Sequence, residues 1–378
     1  MIQCVNPAQC YGCTACASVC PKGAIAMKEN EEGFKYPSVD ENACVSCGLC
    51  KKVCPVLNRR VSERGSVRTA YGVQHTDPEV LKNSTSGGMF TALSDRIFAE
   101  GGVVCGAAFD EQMTVRHIRA TTVEERNAMR GSKYVQSDLG EIFAEIKRDL
   151  SDGRKVLFTG TPCQVDGLRR FLGDHTEGLV CVDLICHGSP SPKILREQFR
   201  FIEKKTRRKL VNYQFRPKRW SWHVHREIAH LEGGKELHSN AYSDLWQQIY
   251  YMRLCHRPSC HSCQYSNIDR VGDLTIADCR GIDKIVPDFG SDAGVSLVLV
   301  NTPLGEEVME KLLSTMKTQE LSLESVMQPP LRQPSKPNGR REHFWAIYHK
   351  DGYEAAIKFY FGKHYALKYK IKKILKKL

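Results

Sequence analysis

Along the middle of the chain, short apolar runs alternate with stretches whose apolar positions recur every three or four residues. The runs suit buried strands and the recurring pattern suits helices with one buried face. Residues 155–160 (KVLFTG) precede the helical pattern CQVDGLRRFL, and residues 179–186 (LVCVDLIC) precede PKILREQFRFIEKK. Two more runs, 273–278 (DLTIAD) and 294–301 (GVSLVLVN), predict strands. The pattern is that of βα units, hence an α/β fold. Residues 61–68 (VSERGSVR) and the Pro-rich 328–340 (QPPLRQPSKPNGR) read as linkers. Beyond the second, Leu367, Ile371, Ile374, Leu375 and Leu378 recur at helical spacing among lysines, which predicts a basic amphipathic helix. No stretch approaches the roughly 18 apolar residues of a membrane helix. The start, MIQCVNPAQC, lacks the basic and apolar parts of a secretory leader, so a cytoplasmic location is expected.

Composition first changes this picture through cysteine. The 378 residues suggest two or three domains, and 41% apolar with 26% charged residues excludes a disordered or fibrous chain. Seventeen cysteines, an odd number with no leader, favour thiolate–metal chemistry over disulfides. CYGCTACASVCP from Cys10 recurs as CVSCGLCKKVCP from Cys44, keeping four cysteines and a proline. In the spacing Cys-x2-Cys-x2-Cys-x3-Cys-Pro, three thiolates wrap one 4Fe–4S cubane and the fourth turns to the other cluster. One cluster therefore takes Cys10, Cys13, Cys16 and Cys54, and the other takes Cys44, Cys47, Cys50 and Cys20. Gly12, Ala15, Ala17 and Gly48 leave room inside the loops. Zinc favours separated Cys-x2-Cys pairs instead. Cys4 lies outside the run as a free thiol.

A second group is less regular. Cys255, Cys260 and Cys263 lie in LCHRPSCHSC and need a fourth partner. Cys186 is chosen because CHGSPSP ends its strand, and ligands of open α/β sheets collect at strand carboxyl ends. A third 4Fe–4S cluster is expected, with zinc (joined by His256 or His261) and ordinary thiols left open. Cys163, in the loop GTPCQ after the preceding strand, is open between spare ligand, flavin neighbour and buried thiol. Cys105 and Cys181 sit inside strand patterns as small buried hydrophobes.

Clusters pass single electrons, so organic chemistry needs a two-electron cofactor beside them. NSTSGGMFTALSDRIF reads as a hydroxyl- and glycine-rich loop opening a helix, which aims N–H groups at an anion such as a pyrophosphate. Ser84 or Thr85 could equally be a plain helix cap. Gly131–Tyr134 (GSKY) adds a small turn and Lys133, a second phosphate contact. The order of paired cysteine runs, STSGG, GSKY, TGTPCQ, CHGSPSP, the Cys-rich segment and DLTIAD resembles the beta subunit of coenzyme F-420 hydrogenase/dehydrogenase over about residues 1–300. That resemblance implies an iron–sulfur flavoprotein in three parts. They are a bacterial-type two-cluster ferredoxin unit (1–60), a larger α/β FAD-binding domain (61–335) and a basic tail (336–378). It implies FAD contacts at Ser86, Gly87, Gly88, Lys133, Thr161 and Gln164, and cluster ligation by Cys186 with Cys255, Cys260 and Cys263. It names no catalytic residue. Many relatives follow the strand-end Asp with aromatic residues, whereas here Asp278 is followed by Cys279, Arg280 and Gly281. Substrate choice is therefore not inherited, and Arg280 would suit an acidic substrate.

Charge completes the reading. Of the net +12, residues 203–226 hold nine Lys/Arg against one acid, and residues 341–378 hold ten against three. The first stretch predicts a docking surface for ferredoxin or another acidic electron-transfer protein. The basic tail leaves room for a peripheral membrane contact. Nucleic-acid binding through cations interleaved with Tyr213, Phe215, Trp220 and Trp222 is set aside, because tryptophans of such a chain usually pack in or beside the core. The expected function is an oxidoreductase passing electrons between a ferredoxin-like donor, 4Fe–4S clusters, FAD, and a hydride-accepting substrate or deazaflavin-like coenzyme. The alternative is an electron-relay subunit of a larger dehydrogenase or hydrogenase with no substrate of its own.

Overall fold

The computed structural model describes residues 2, 6, 8–58, 67–238 and 243–362. Near the start, β1 (Ile25–Glu29) and β2 (Lys35–Val39) form an antiparallel hairpin with Ile25 opposite Val39. The cysteine runs flank it, and each makes one helical turn, Ala15–Ser18 and Leu49–Lys52. Both turns begin after a left-handed residue, Thr14 at φ 61° and Gly48 at φ 79°. A repeated spacing thus folds into a repeated local shape.

The remaining strands make two sheets. In the larger lie β3 (Thr69–His75), β4 (Val103–Phe109), β5 (Val115–Ala120), β6 (Val156–Gly160) and β7 (Leu179–Leu184). A separate antiparallel sheet holds β8 (Leu210–Gln214), β9 (Ile228–Leu231) and β10 (Lys235–His238). The chain then returns to the large sheet with β11 (Leu274–Asp278), β12 (Ser296–Val300) and β13 (Met316–Leu321). The order is β13-β3-β12-β11-β7-β6-β4-β5. Strands β4, β6, β7 and β11 run parallel, while the flanking pairings are antiparallel. The carboxyl ends of β6, β7 and β11 therefore deliver their loops to one edge, where α/β sheets bind ligands.

Helices cover both faces. Helix α1 (Met89–Ala99) buries Met89, Leu93 and Ile97, four residues apart, on one face. Helix α2 (Pro162–Leu172) buries Val165, Leu168 and Leu172 on the other, beside Phe158 and Cys105. Cys13, Ala15 and Val53 of the N-terminal unit belong to that same apolar cluster, so the unit is packed onto the sheet domain. Cys105 and Cys181 are fully buried in β4 and β7.

A third cluster gathers α3 (Pro192–Thr206), α4 (Leu245–Met252), α5 (Arg341–Asp351) and α6 (Tyr353–Phe361). This corrects the expectation of a basic tail from residue 336. Phe344 and Ala356 are fully buried, and the Tyr353 hydroxyl donates to Gln198 at 2.6 Å. The charge that coloured the whole stretch is concentrated beyond residue 362. The expected amphipathic helix around Leu367–Leu378, Cys4 and most of the first linker lie outside the described residues. The basic stretch 203–226 is also divided by the fold. Tyr213, Phe215 and Trp222 are core, Arg216 is buried, and Lys204 and Arg219 pair with Glu354 and Glu236. Only part of that charge remains for a partner. Among the described residues, no helix is long and apolar enough to cross a membrane.

Candidate cluster and cofactor site

The expected group Cys10, Cys13, Cys16 and Cys54 is the more buried, with Cys10 partly exposed, and the group Cys20, Cys44, Cys47 and Cys50 faces outward. Cys13, Cys16 and Cys54 are buried, whereas Cys47 is exposed and Cys20, Cys44 and Cys50 are partly so. Burial pushes the Cys16 thiol up to about 12, with Cys10 and Cys54 adding to it. Burial also raises Cys54, which feels Cys10 as well. Cys20, Cys44, Cys47 and Cys50 together line a surface hollow. Cys20 thus shares a hollow with Cys44, Cys47 and Cys50, while Cys16 lies within the electrostatic reach of Cys10 and Cys54. Among the described residues, no three Cys, His, Asp or Glu side chains surround one point as a single metal ion needs. The thiolates of a cubane each bind a separate iron and have no such requirement.

The third group differs from expectation. Burial pushes the Cys163 thiol well up, and Cys263, Cys186 and Cys260 add to the effect. Cys260 is pushed to about 12 by burial, then by Cys186. Two successive backbone N–H groups serve this set: Gly188 donates to Cys186 Sγ and Ser189 to Cys260 Sγ, each at 3.4 Å. Cys255 is the correction. It is fully buried among Ile194, Trp246 and Phe344, and the charged groups near it are Arg341 and Glu32 rather than thiols. The chain after α4 turns Cys255 inward, while Cys163, second residue of α2, lies on the same strand-end edge as Cys186. Its equivalent loop position was the available signal.

Buried polar atoms test whether these loops suit a cluster. The Thr14 hydroxyl, the Ser259 hydroxyl and both ring nitrogens of His256 have no hydrogen-bond partner among the described residues. All sit in the cysteine loops, where a sulfur-rich inorganic core would satisfy donors. Arg270 and Asp183 brace the set from behind, 2.7 Å apart and both nearly inaccessible. Arg270 also donates to the carbonyls of Tyr265 and Leu184, two residues from Cys263 and Cys186 respectively. The inner run lies alongside. A β-carbon added at Gly167 of α2 would stand 2.8 Å from Cys13 Cβ.

A cavity of about 410 Å³ opens beside the third thiol group, within the usual range for cofactor sites. Ser86, Gly88, Lys133, Thr161 and Gln164 all line it. Gly88, at φ 88°, precedes α1 without any side-chain cap, so the first N–H groups of that helix stay open at the cavity wall. Gly87 acts differently. A β-carbon there would lie 2.1 Å from the Val73 carbonyl, so its smallness lets the loop cross β3 and β12. Lys133 does not offer a phosphate contact. Its ammonium donates to the carbonyls of Ala128, Met129 and Arg130 at 2.9–3.0 Å, using all three donors, and burial draws it down to about 7. Lys218 takes part instead as a clamp, donating to Leu81 and Ser86 carbonyls at 2.7 and 2.5 Å and to that of Ala293.

Thr161 and Gln164 form a capping box that continues inward. Gln164 donates to Ser137 Oγ at 2.9 Å, and Ser137 meets His117 Nδ1 at 3.0 Å. Burial draws His117 down to about 4, so the ring is neutral: Nε2–H donates to the Thr159 carbonyl and Nδ1 accepts from Ser137. At the other end lie His187, Tyr251, Arg216 and Arg280. Arg216 pairs with Asp278, and burial with the nearby Arg280 draws His187 down to about 4. Sequence reading missed His117, Ser137, Arg216 and Tyr251, which reach the cavity through long-range packing. The expected Pro-rich linker is also part of the wall. Gln328 donates to the Asp278 carbonyl at 2.8 Å, and Ser335 to that of His187 at 2.9 Å.

Thiol groups of this kind beside a cofactor-sized cavity define the class as an iron–sulfur electron-transfer protein. Residues 9–58 match a 4Fe-4S dicluster domain. Residues 70–144 match the N-terminal part, and 153–325 the C terminus, of the coenzyme F420 hydrogenase/dehydrogenase beta subunit. The chain belongs to this family. One of the subunits of the F(420)H(2) dehydrogenase from Methanosarcina mazei is 23% identical over 366 residues, covering 92% of this chain and 95% of that protein. The coenzyme F420-dependent sulfite reductase of Methanocaldococcus jannaschii is 41% identical over 171 residues, 44% of this chain and 26% of that one. A chain of the F420-reducing [NiFe] hydrogenase complex from Methanosarcina barkeri is 21% identical with a TM-score of 0.48, covering 78% of this chain and 92% of that chain.

Proposed function

We propose that this chain is an FAD-dependent iron–sulfur oxidoreductase, exchanging electrons between a ferredoxin-like donor and a hydride-accepting substrate or deazaflavin-like coenzyme. One observation carries the reading: residues Cys186, His187, Gly188 and Ser189 border the third thiol group and the cavity at once. The ligand groups would be Cys20, Cys44, Cys47 and Cys50 outside, Cys10, Cys13, Cys16 and Cys54 inside, and Cys163, Cys186, Cys260 and Cys263 beside the cavity. When bound, the clusters supply one-electron exchange and the flavin supplies hydride exchange.

The chain's own residues do the rest. Ser86, Gly88 and the uncapped start of α1 offer donors to a pyrophosphate. The hydrogen-bonded chain from Thr161 to His117 keeps the cavity floor rigid and neutral. Asp278 neutralises Arg216, which leaves Arg280 as a cation at that end of the cavity to face an acidic substrate.

Anaerobic reconstitution should yield about twelve irons and one FAD per chain. That FAD should be reduced by a low-potential ferredoxin and reoxidised by a deazaflavin. Full clusters without flavin would sink the proposal. The name of the Methanosarcina mazei relative, a dehydrogenase subunit, favours the relay reading as second choice. Turnover that needs a co-purifying partner would select it.

A further inference from the structure

Among the described residues, four arginine side chains are buried to more than nine-tenths: Arg126, Arg216, Arg257 and Arg270. Three have a carboxylate, Asp95 at 2.8 Å for Arg126, Asp278 for Arg216 and Asp183 at 2.7 Å for Arg270. Arg257, 1% exposed, is the exception. Its guanidinium donates to the Cys10 carbonyl at 2.6 Å, the Lys35 carbonyl at 3.0 Å and Gln136 Oε1 at 3.0 Å. It lies over the Tyr36 ring at 4.3 Å and the Phe34 ring at 5.3 Å. Among the described residues no carboxylate pairs with it. Carbonyl dipoles and ring faces solvate the cation, but they leave its full charge in place. A guanidinium cannot shed its proton, so burial without a counter-charge is costly.

The position of Arg257 shows where that counter-charge belongs. Its head presses on the inner cysteine loop, since a β-carbon at Gly12 would meet Nη1 at 2.8 Å. Its backbone shapes the other loop, with its N–H on the Ser189 carbonyl at 2.9 Å and its carbonyl accepting from Cys260 N–H at 3.0 Å. A cubane held by four thiolates is anionic, and each added electron makes it more so. The geometry points to Arg257 as the counter-charge shared by the inner and third clusters. It is a positioning residue that ties assembly of the two sites together and raises the reduction potential of both. This rests on the ligand groups proposed above.

The test uses the anaerobically reconstituted full chain, with potentials read by electron paramagnetic resonance during redox titration. Gln136→Glu places a carboxylate where the amide oxygen now accepts from Arg257, cancelling the charge with little change of shape. At a fixed potential it should lower the reduced-to-oxidised ratio of the inner and third clusters about tenfold, a shift of about 59 mV for a one-electron couple. Arg257→Met should do the same and Arg257→Lys should restore much of the loss. The outer cluster, on Cys20, Cys44, Cys47 and Cys50, should not move. Unshifted potentials in fully loaded Gln136→Glu protein would overturn the role of Arg257 alone. About eight irons in the wild-type chain, with no third signal, would instead overturn the third ligand group and the shared role with it.

Discussion

The two cysteine runs share every cysteine and the following proline, yet Cys13 and Cys16 are buried in the first while Cys47 is exposed and Cys54 alone buried in the second. The first run packs Cys13 against α2 and hands its Cys10 carbonyl to Arg257. The second keeps Cys47 at the surface, with Val45 and Leu49 exposed around it and Lys51 and Lys52 beside them. Spacing alone dictates the local turn. What the rest of the chain lays over that turn decides whether a site is a doorway or an inner link.

The comparison can be broken most severely from behind. Arg270→Met strands Asp183 in the interior and should cost about 3–5 kcal/mol in chemical denaturation. The reconstituted protein should lose the third cluster's signal and retain the outer one's. Gly167→Leu drives a side chain into Cys13 and should cost about 1–3 kcal/mol, with the inner signal altered and the outer unchanged. Equal disturbance of both runs would show that α2 does not distinguish them. Cys163→Ser should remove about a third of the iron, whereas Cys255→Ser should leave the iron intact and cost about 1 kcal/mol in stability. The opposite pattern would return Cys255 to the ligand group.

Smaller effects sharpen the same contrast. If the outer run is the doorway, charge reversal at Lys51 and Lys52 should slow reduction by an acidic ferredoxin severalfold at low salt. Reversal at Arg207 and Arg208 should then do less, and a larger effect there would restore the basic stretch as the docking face. Mildest is the response to acid. His117 is held neutral, its folded value near 4 against 6.5 unfolded, so the unfolded chain takes up the proton first. Stability should fall between about pH 6.5 and 4, by at most about 1.4 kcal/mol per pH unit from this group, and His117→Gln should flatten the slope.

What could be read from residues alone follows a physical divide. Strands β6, β7, β11 and β12 and both cysteine runs were legible because periodicity and spacing are local properties. So was the gathering of Cys186, Cys260 and Cys263 at one edge. That Cys163 lies near these thiols and Cys255 does not was not legible, because it depends on which way the chain leaves α4. Charge misled wherever its partners were distant. Lys218 and Arg216 count as basic surface in the sequence, but one clamps the Ser86 loop and the other pairs with Asp278. Lys133 shows the same limit at the scale of one side chain: its neighbourhood was legible, but the target of its ammonium was not.

The segment 328–338 carries a practical consequence. Apart from the short turn Pro329–Leu331 it belongs to no helix or strand, yet Gln328 borders the cavity and Ser335 ties down the loop after β7. Its Leu331 packs in the core beneath the sheet, and its Ser335 carbonyl meets His261 Nδ1 at 2.9 Å. One short segment therefore serves both the chamber wall and the scaffold. Recutting it to widen the cavity would also disturb the thiol-bearing edge, because Ser335 holds His187 and His261 beside Cys186 and Cys260.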